Sequence, residues 1–129
     1  MHFLFRKSVF TVFFMLISII GMSQNVVEDL RSALAAGNVN GIARYFDNNV
    51  NLNITGSQAS YSRSQAEMVL RDFFNKNNPR KLEIEHSDAS QNMRFAMGTL
   101  FTATGSFKVY FAVKQRENNT IIQELRIER

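Results

Sequence analysis

Residues 93–128 read MRFAMGTLFTATGSFKVYFAVKQRENNTIIQELRIE, and three apolar runs lie there end to end. The runs are divided at Gly105-Ser106 and at Glu117-Asn118-Asn119. Phe107, Val109, Phe111 and Val113 occupy alternate positions, the period of two that lets a pleated strand put one row of side chains into a core. Ile121, Gln123, Leu125 and Ile127 alternate with Ile122, Glu124, Arg126 and Glu128. In the first run, Arg94 to Thr104, one row holds Phe95, Met97, Thr99, Phe101 and Ala103. β-branched and aromatic residues are frequent throughout, as strands prefer. Thr104-Gly105-Ser106 is short enough for a tight hairpin, with glycine free to take positive φ. Glu117-Asn118-Asn119-Thr120 is a second turn, because asparagine tolerates left-handed geometry. The expectation is an antiparallel meander whose inner face supplies most of the core.

Upstream segments read as elements that pack on this sheet. Asn25 to Ala36 is a helix, with Val26, Val27, Leu30, Ala33 and Leu34 on one stripe. Asn25 with Glu28 forms a capping-box pattern at its start, and Gly37 stops it. A shorter helix follows from Asn38, with Val39, Ile42, Ala43 and Phe46 sharing a face. Val50, Leu52 and Ile54 alternate with asparagines, as in a half-buried strand. Ser60 to Ser62 is expected to be a connection. Ser64 and Glu67 then open a third helix as a capping box, and Ala66, Val69, Leu70, Phe73 and Phe74 form its stripe. Pro79 ends that helix region. Lys81 to Ser87 is a strand with Leu82, Ile84 and His86 on its inward row. Three helices and a mostly antiparallel sheet imply an α+β fold with the helices on one face.

The N-terminus differs in kind. Arg6 and Lys7 precede Val9 to Ile20, which is almost wholly apolar, and Gly21-Met22-Ser23 follows. This is the order of a secretory signal peptide, and the apolar run is shorter than the ~20 residues of a bilayer-crossing helix. The expectation is a signal peptide over 1–23, a single domain over 24–129, and an exported protein, periplasmic or extracellular, with no stable membrane span after cleavage. There is no cysteine, which excludes disulfides, thiolate metal sites and lipid attachment through cysteine. Removing Arg6 and Lys7 halves the formal charge of +4. The remaining charges are interspersed, as in Glu124, Arg126, Glu128 and Arg129, which argues against nucleic-acid binding.

Several local phrases carry a resemblance. They are Val26-Val27-Glu28-Asp29-Leu30, Ala35-Ala36-Gly37-Asn38, and Ile42-Ala43-Arg44-Tyr45-Phe46-Asp47. Tyr61 to Glu67, Leu70-Arg71-Asp72-Phe73-Phe74, and Ile121 to Glu128 complete the set. In these the chain from Asn25 to Arg129 resembles the nuclear transport factor 2-like superfamily, whose cystatin-like fold wraps a curved sheet over helices. More narrowly, it is similar to a family of small secreted bacterial proteins, the domain of unknown function 4783. That resemblance implies a fold and a compartment and no activity. Ketosteroid isomerase and the polyketide cyclases share the superfamily fold and use an acidic base in a cone-shaped pocket. Glu83, Glu85, Glu124 and Glu128 all alternate outward here, so those catalytic residues have no counterparts to carry over; the fold alone does not give a chemistry.

His86 and Gln123 are the polar residues on otherwise apolar rows, and Tyr61 precedes the third helix at the expected pocket mouth. They are the candidate ligand-binding residues, since a few placed polar groups orient a ligand in an apolar pocket. Each also has a structural explanation, because buried polar groups usually bond backbone or water. No cluster of metal ligands or cofactor motif appears. Leu100, Tyr110 and Ile122, with Ala112, fall on the rows opposite the assumed core. If solvent-facing, they form an exposed apolar patch of the kind that marks an interface, here a homodimer through the sheet. The reading is a secreted, non-enzymatic binding or interaction module, its cone holding a small apolar ligand or filled by phenylalanines. The alternatives are an isomerase- or cyclase-type enzyme with a pocket around His86, and a structural envelope protein.

Overall fold

A computed structural model describes residues 26–129. The expected signal peptide and the expected Asn25 cap lie outside the described residues. Helix α1 spans Val26–Ala36 and α2 spans Val39–Ala43. Strands β1 (Asn49–Ile54) and β2 (Ser57–Ser62) precede helix α3 (Arg63–Lys76). Strands β3 (Pro79–Ser90), β4 (Met93–Thr102), β5 (Gly105–Gln115) and β6 (Thr120–Glu128) complete the chain. All six strands form one curved sheet in the order β2-β1-β6-β5-β4-β3. Every neighbouring pair is antiparallel except β1 with β6.

Local chemistry sets the element ends. At the end of α1, Gly37 takes φ +66°, its N–H donates to Leu34 O, and Asn38 N–H donates to Ala33 O at 2.8 Å. This is the Schellman closure that glycine permits. Asn38 then caps α2 through its side chain, which accepts from Gly41 N–H. The third helix is capped two residues earlier than the sequence suggests. Ser62 and Gln65, rather than Ser64 and Glu67, form the reciprocal capping box. The shift follows from β2, which replaces the expected connection. Thr55 (φ +51°) and Gly56 (φ +92°) make a two-residue hairpin turn with both residues left-handed, as strand twist favours. The sequence SQASYS gave no hydrophobic alternation by which to recognise that strand.

Helices α1 and α3 cover one face of the sheet. Leu30, Leu34, Leu70, Phe73 and Phe74 meet Val50, Leu52, Leu100, Phe107 and Phe111, all 7% exposed or less. Phe73 stacks edge-on against both Phe74 and Phe107, with centroids 5.5 and 5.0 Å apart, the geometry that aromatic quadrupoles favour.

On β4 the rows are exchanged relative to the sequence reading. A turn at 104–106 places Ala103 across from Phe107. The observed turn places Leu100 there, with Thr102 paired to Gly105. An odd register shift moves every side chain to the other face. Ala96 and Leu100 therefore enter the core, whereas Phe95, Met97 and Phe101 lie on the outer face. Size was a poor guide because the inner row of β4 is the small one. Gly98 belongs to that row, and a Cβ there would sit 2.1 Å from Glu83 O. Glycine is required because β3 approaches so closely, at the place where its register breaks.

Candidate functional site

The three residues that the sequence singles out as pocket-lining are not brought together. Tyr61 is in β2 at one edge of the sheet, His86 is in β3 at the opposite edge, and Gln123 is in β6 between them. His86 and Gln123 are exposed, against expectation, and the same physical device turns each of them outward.

The register of β3 against β4 jumps between Ile84 and His86, which pair with Gly98 and Met97. Glu85 is the extra residue of a bulge, so the alternation inverts beyond it. His86 thus shares the outer face with Met97 rather than the core with Leu82. The register of β5 against β6 jumps in the same way. Ala112 pairs with Glu124 and Val113 with Ile122, leaving Gln123 as the bulged residue. This lets Ile122, Leu125 and Ile127 all face inward, although Ile122 and Leu125 are three residues apart. Ile122 is 2% exposed and Leu100 is fully buried, so neither lies at an interface; both belong to the core. Tyr110 is half-buried on the outer face, as expected.

Between helices and sheet the core side chains of the described residues are almost fully buried. Thr102 is the buried polar side chain among the described residues, and its hydroxyl donates to Gly105 O at 2.7 Å. It is a turn-closing group with its donor satisfied. Tyr61 is half-buried and borders a surface cleft rather than a deep cone.

The outer face carries exposed apolar and charged side chains together. Met97 is 50% exposed at its centre, and Tyr110 lies directly across from it on β5. Phe95 and Phe101 flank Met97 on β4, both half-buried. A groove of about 200 Å³ runs here, bordered by Glu85, Met97, Lys108, Tyr110, Arg126 and Glu128. Arg126 and Glu85 are held by neighbours. Arg126 lies over the Tyr110 ring, 5.2 Å from its centroid, and bonds Glu124 at 2.6 Å. Hydrogen bonding to that carboxylate, and its charge, raise the arginine's pKa above its ordinary value. Lys81 sits 4.9 Å from the Phe101 centroid, and Thr99 donates its hydroxyl to Glu85. The result is an apolar strip with fixed charges of both signs along its rim. The sequence contained the signal, Phe95, Met97 and Phe101 at period two, but the hairpin register was needed to place it outside.

A second polar cluster joins α1 to the turn that follows α2. The Tyr45 hydroxyl donates to Asp29 at 2.9 Å. Partial burial and that carboxylate raise the phenol's pKa above 10.0. Tyr45 O also accepts from Ile122 N–H at 2.7 Å, tying this corner to β6.

The family model described as a domain of unknown function, DUF4783, matches residues 27–128. No curated protein matches the chain. A DUF4783 family protein from Bacteroides uniformis is 26% identical with a TM-score of 0.76, the match covering 81% of this chain and 97% of that one. A DUF4783 family protein from Bacteroides fragilis is 30% identical with a TM-score of 0.72, covering 78% and 95%. An NTF2-like protein of unknown function from Cytophaga hutchinsonii shares the fold, with 10% identity, a TM-score of 0.59 and coverage of 81% and 86%.

Proposed function

The chain belongs to the DUF4783 family, and we propose that it is an exported, non-enzymatic interaction domain whose outer sheet face pairs with the same face of a second copy. The observation that carries this reading is the contrast around Met97. The core side chains between helices and sheet are almost fully buried, while a large apolar side chain stands half exposed in an apolar strip on the sheet. Exposed apolar strips with polar rims are typical of interaction surfaces.

The rim favours a second copy as the occupant. A two-fold interface must be self-complementary, and this one carries Lys108 and Arg126 beside Glu85 and Glu128. Charges of both signs therefore lie on the same rim, as self-complementarity requires. Export rests on the N-terminal order of charged, apolar and small residues.

Sedimentation velocity of the purified protein across the micromolar range tests the reading. The expected result is a dimer that Met97→Lys converts to a monomer with an unchanged melting temperature. A wild-type protein that stays monomeric throughout, or a Met97→Lys dimer, would overturn it.

A further inference from the structure

The two edges of the sheet are guarded differently. On the β3 edge, Pro79 lacks an N–H, Lys81, Glu83, Glu85 and Asp88 add charge, and the register breaks twice. Proline, charge and bulges are the usual means by which an edge avoids pairing with another chain. The opposite edge, β2, has none of them. Its sequence is SQASYS, and it pairs with β1 in unbroken register.

The ladder shows which β2 groups no described residue uses. Arg63 N–H donates to Asn48 O at 3.1 Å, and hydrogen-bonded pairs alternate from there. Ser57, Ala59 and Tyr61 therefore exchange their amide groups with β1. Gln58 and Ser60 turn theirs to the open side, whereas the outward N–H of Ser62 is used in the α3 capping box. Thr55 N–H donating to Ile127 O on the far side of β1 fits the same alternation. A cleft of about 260 Å³ lies beside this edge, with Ile54, Tyr61, Val69 and Phe73 among its lining and Asp72 and Lys76 at its rim.

We propose that the free edge of β2 captures an extended segment of a partner polypeptide by strand addition, seating an apolar side chain in the cleft beside α3. The edge recognises main chain, since Gln58 and Ser60 offer two N–H and two C=O groups in strand geometry. The cleft selects the side chain. Its rim charges cancel, because Lys76 and Asp72 are paired at 3.0 Å, so an uncharged segment fits it. A second copy's β2 fits poorly: its alternate residues are Ser57, Ala59 and Tyr61, or Gln58, Ser60 and Ser62, and neither row brings an aliphatic group larger than the Ala59 methyl. This surface is separate from the outer-face strip, and its occupancy does not depend on self-association.

The test is selection of binders from a random twelve-residue peptide library displayed on phage, against the intact protein. One selected peptide is then synthesised and titrated. Binding is expected to slow exchange of the Gln58 and Ser60 amides. Ser60→Pro and Ser60→Lys are each expected to weaken it by about tenfold or more, because proline removes an outward N–H and lysine guards the edge. The Ser60 N–H is not part of the β1 ladder, so Ser60→Pro keeps the fold. Neither variant is expected to change the sedimentation of the peptide-free protein. A library that yields no binder, or binders indifferent to both substitutions, would overturn the proposal.

Discussion

Along β5, one short segment displays both faces of the sheet. Phe107, Val109, Phe111 and Val113 are buried against the helices, while Lys108 is exposed and Tyr110 and Lys114 are half-buried on the far side. The inner face ends in close packing with little polar chemistry. The outer face combines Met97, Tyr110 and Phe101 with charges fixed by their neighbours. Apolar residues are plentiful on both faces. What separates their roles is whether this chain itself supplies the cover. The helices close the inner face, and no described element of the chain closes the strip around Met97.

The largest effect that tests this contrast comes from two nearby residues of β6. Leu125→Ala should cost about 2–5 kcal/mol, the range for truncating a buried leucine, because Leu125 is 1% exposed. Gln123→Ala, on the bulge that turns it outward, should change stability by no more than about 0.5 kcal/mol. Denaturant unfolding of both variants measures the difference. Comparable losses would mean that Gln123 supports the core after all.

The next effect sharpens the account of how the strand rows were sorted. Gly98→Ala forces a Cβ against Glu83 O and should cost about 1–3 kcal/mol as an overpacked site. A neutral Gly98→Ala variant would show that β3 and β4 do not approach closely at the bulge.

These two positions also show where the sequence was legible. Helix stripes, the Gly37 stop, the Asn38 restart and the meander could be read from periodicity and turn chemistry. They rest on contacts within a few residues. The interior of β4, the placement of His86 and Gln123, and strand β2 could not be read in that way. Each depends on pairing with another strand: a hairpin register, a bulge, or an edge position. Period-two reading assumes an unbroken ladder, and a single extra residue at Glu85 or Gln123 inverts it. Tyr110 was placed on the outer face because β5 itself alternates without a break, with Phe107, Val109, Phe111 and Val113 buried on the other row. Leu100 and Ile122 were misplaced by a register slip and by a bulge, respectively.

The smallest effect concerns the corner outside both faces. The raised pKa of Tyr45 means that the fold favours the protonated phenol. Its contribution is complete below the ordinary value of 10.0 and is lost as pH rises from there through the folded value. The stability gap between wild type and Tyr45→Phe should therefore change with pH only above that value, with the wild type losing ground as pH rises. Unfolding curves at successive alkaline pH values measure it, and a gap that stays constant would mean the phenol is not held by Asp29.

Two methionines provide the most direct measurement of the central claim. Met97 is 50% exposed and Met68, on α3, is 69% exposed in the single chain. With methyl-labelled methionines and a soluble paramagnetic agent, NMR reports which methyl groups solvent reaches. At concentrations where the protein is expected to be dimeric, the Met97 methyl should be shielded and the Met68 methyl fully broadened, and dilution should abolish the difference. Equal broadening of the two at every concentration would contradict the assignment of the outer face as the working surface.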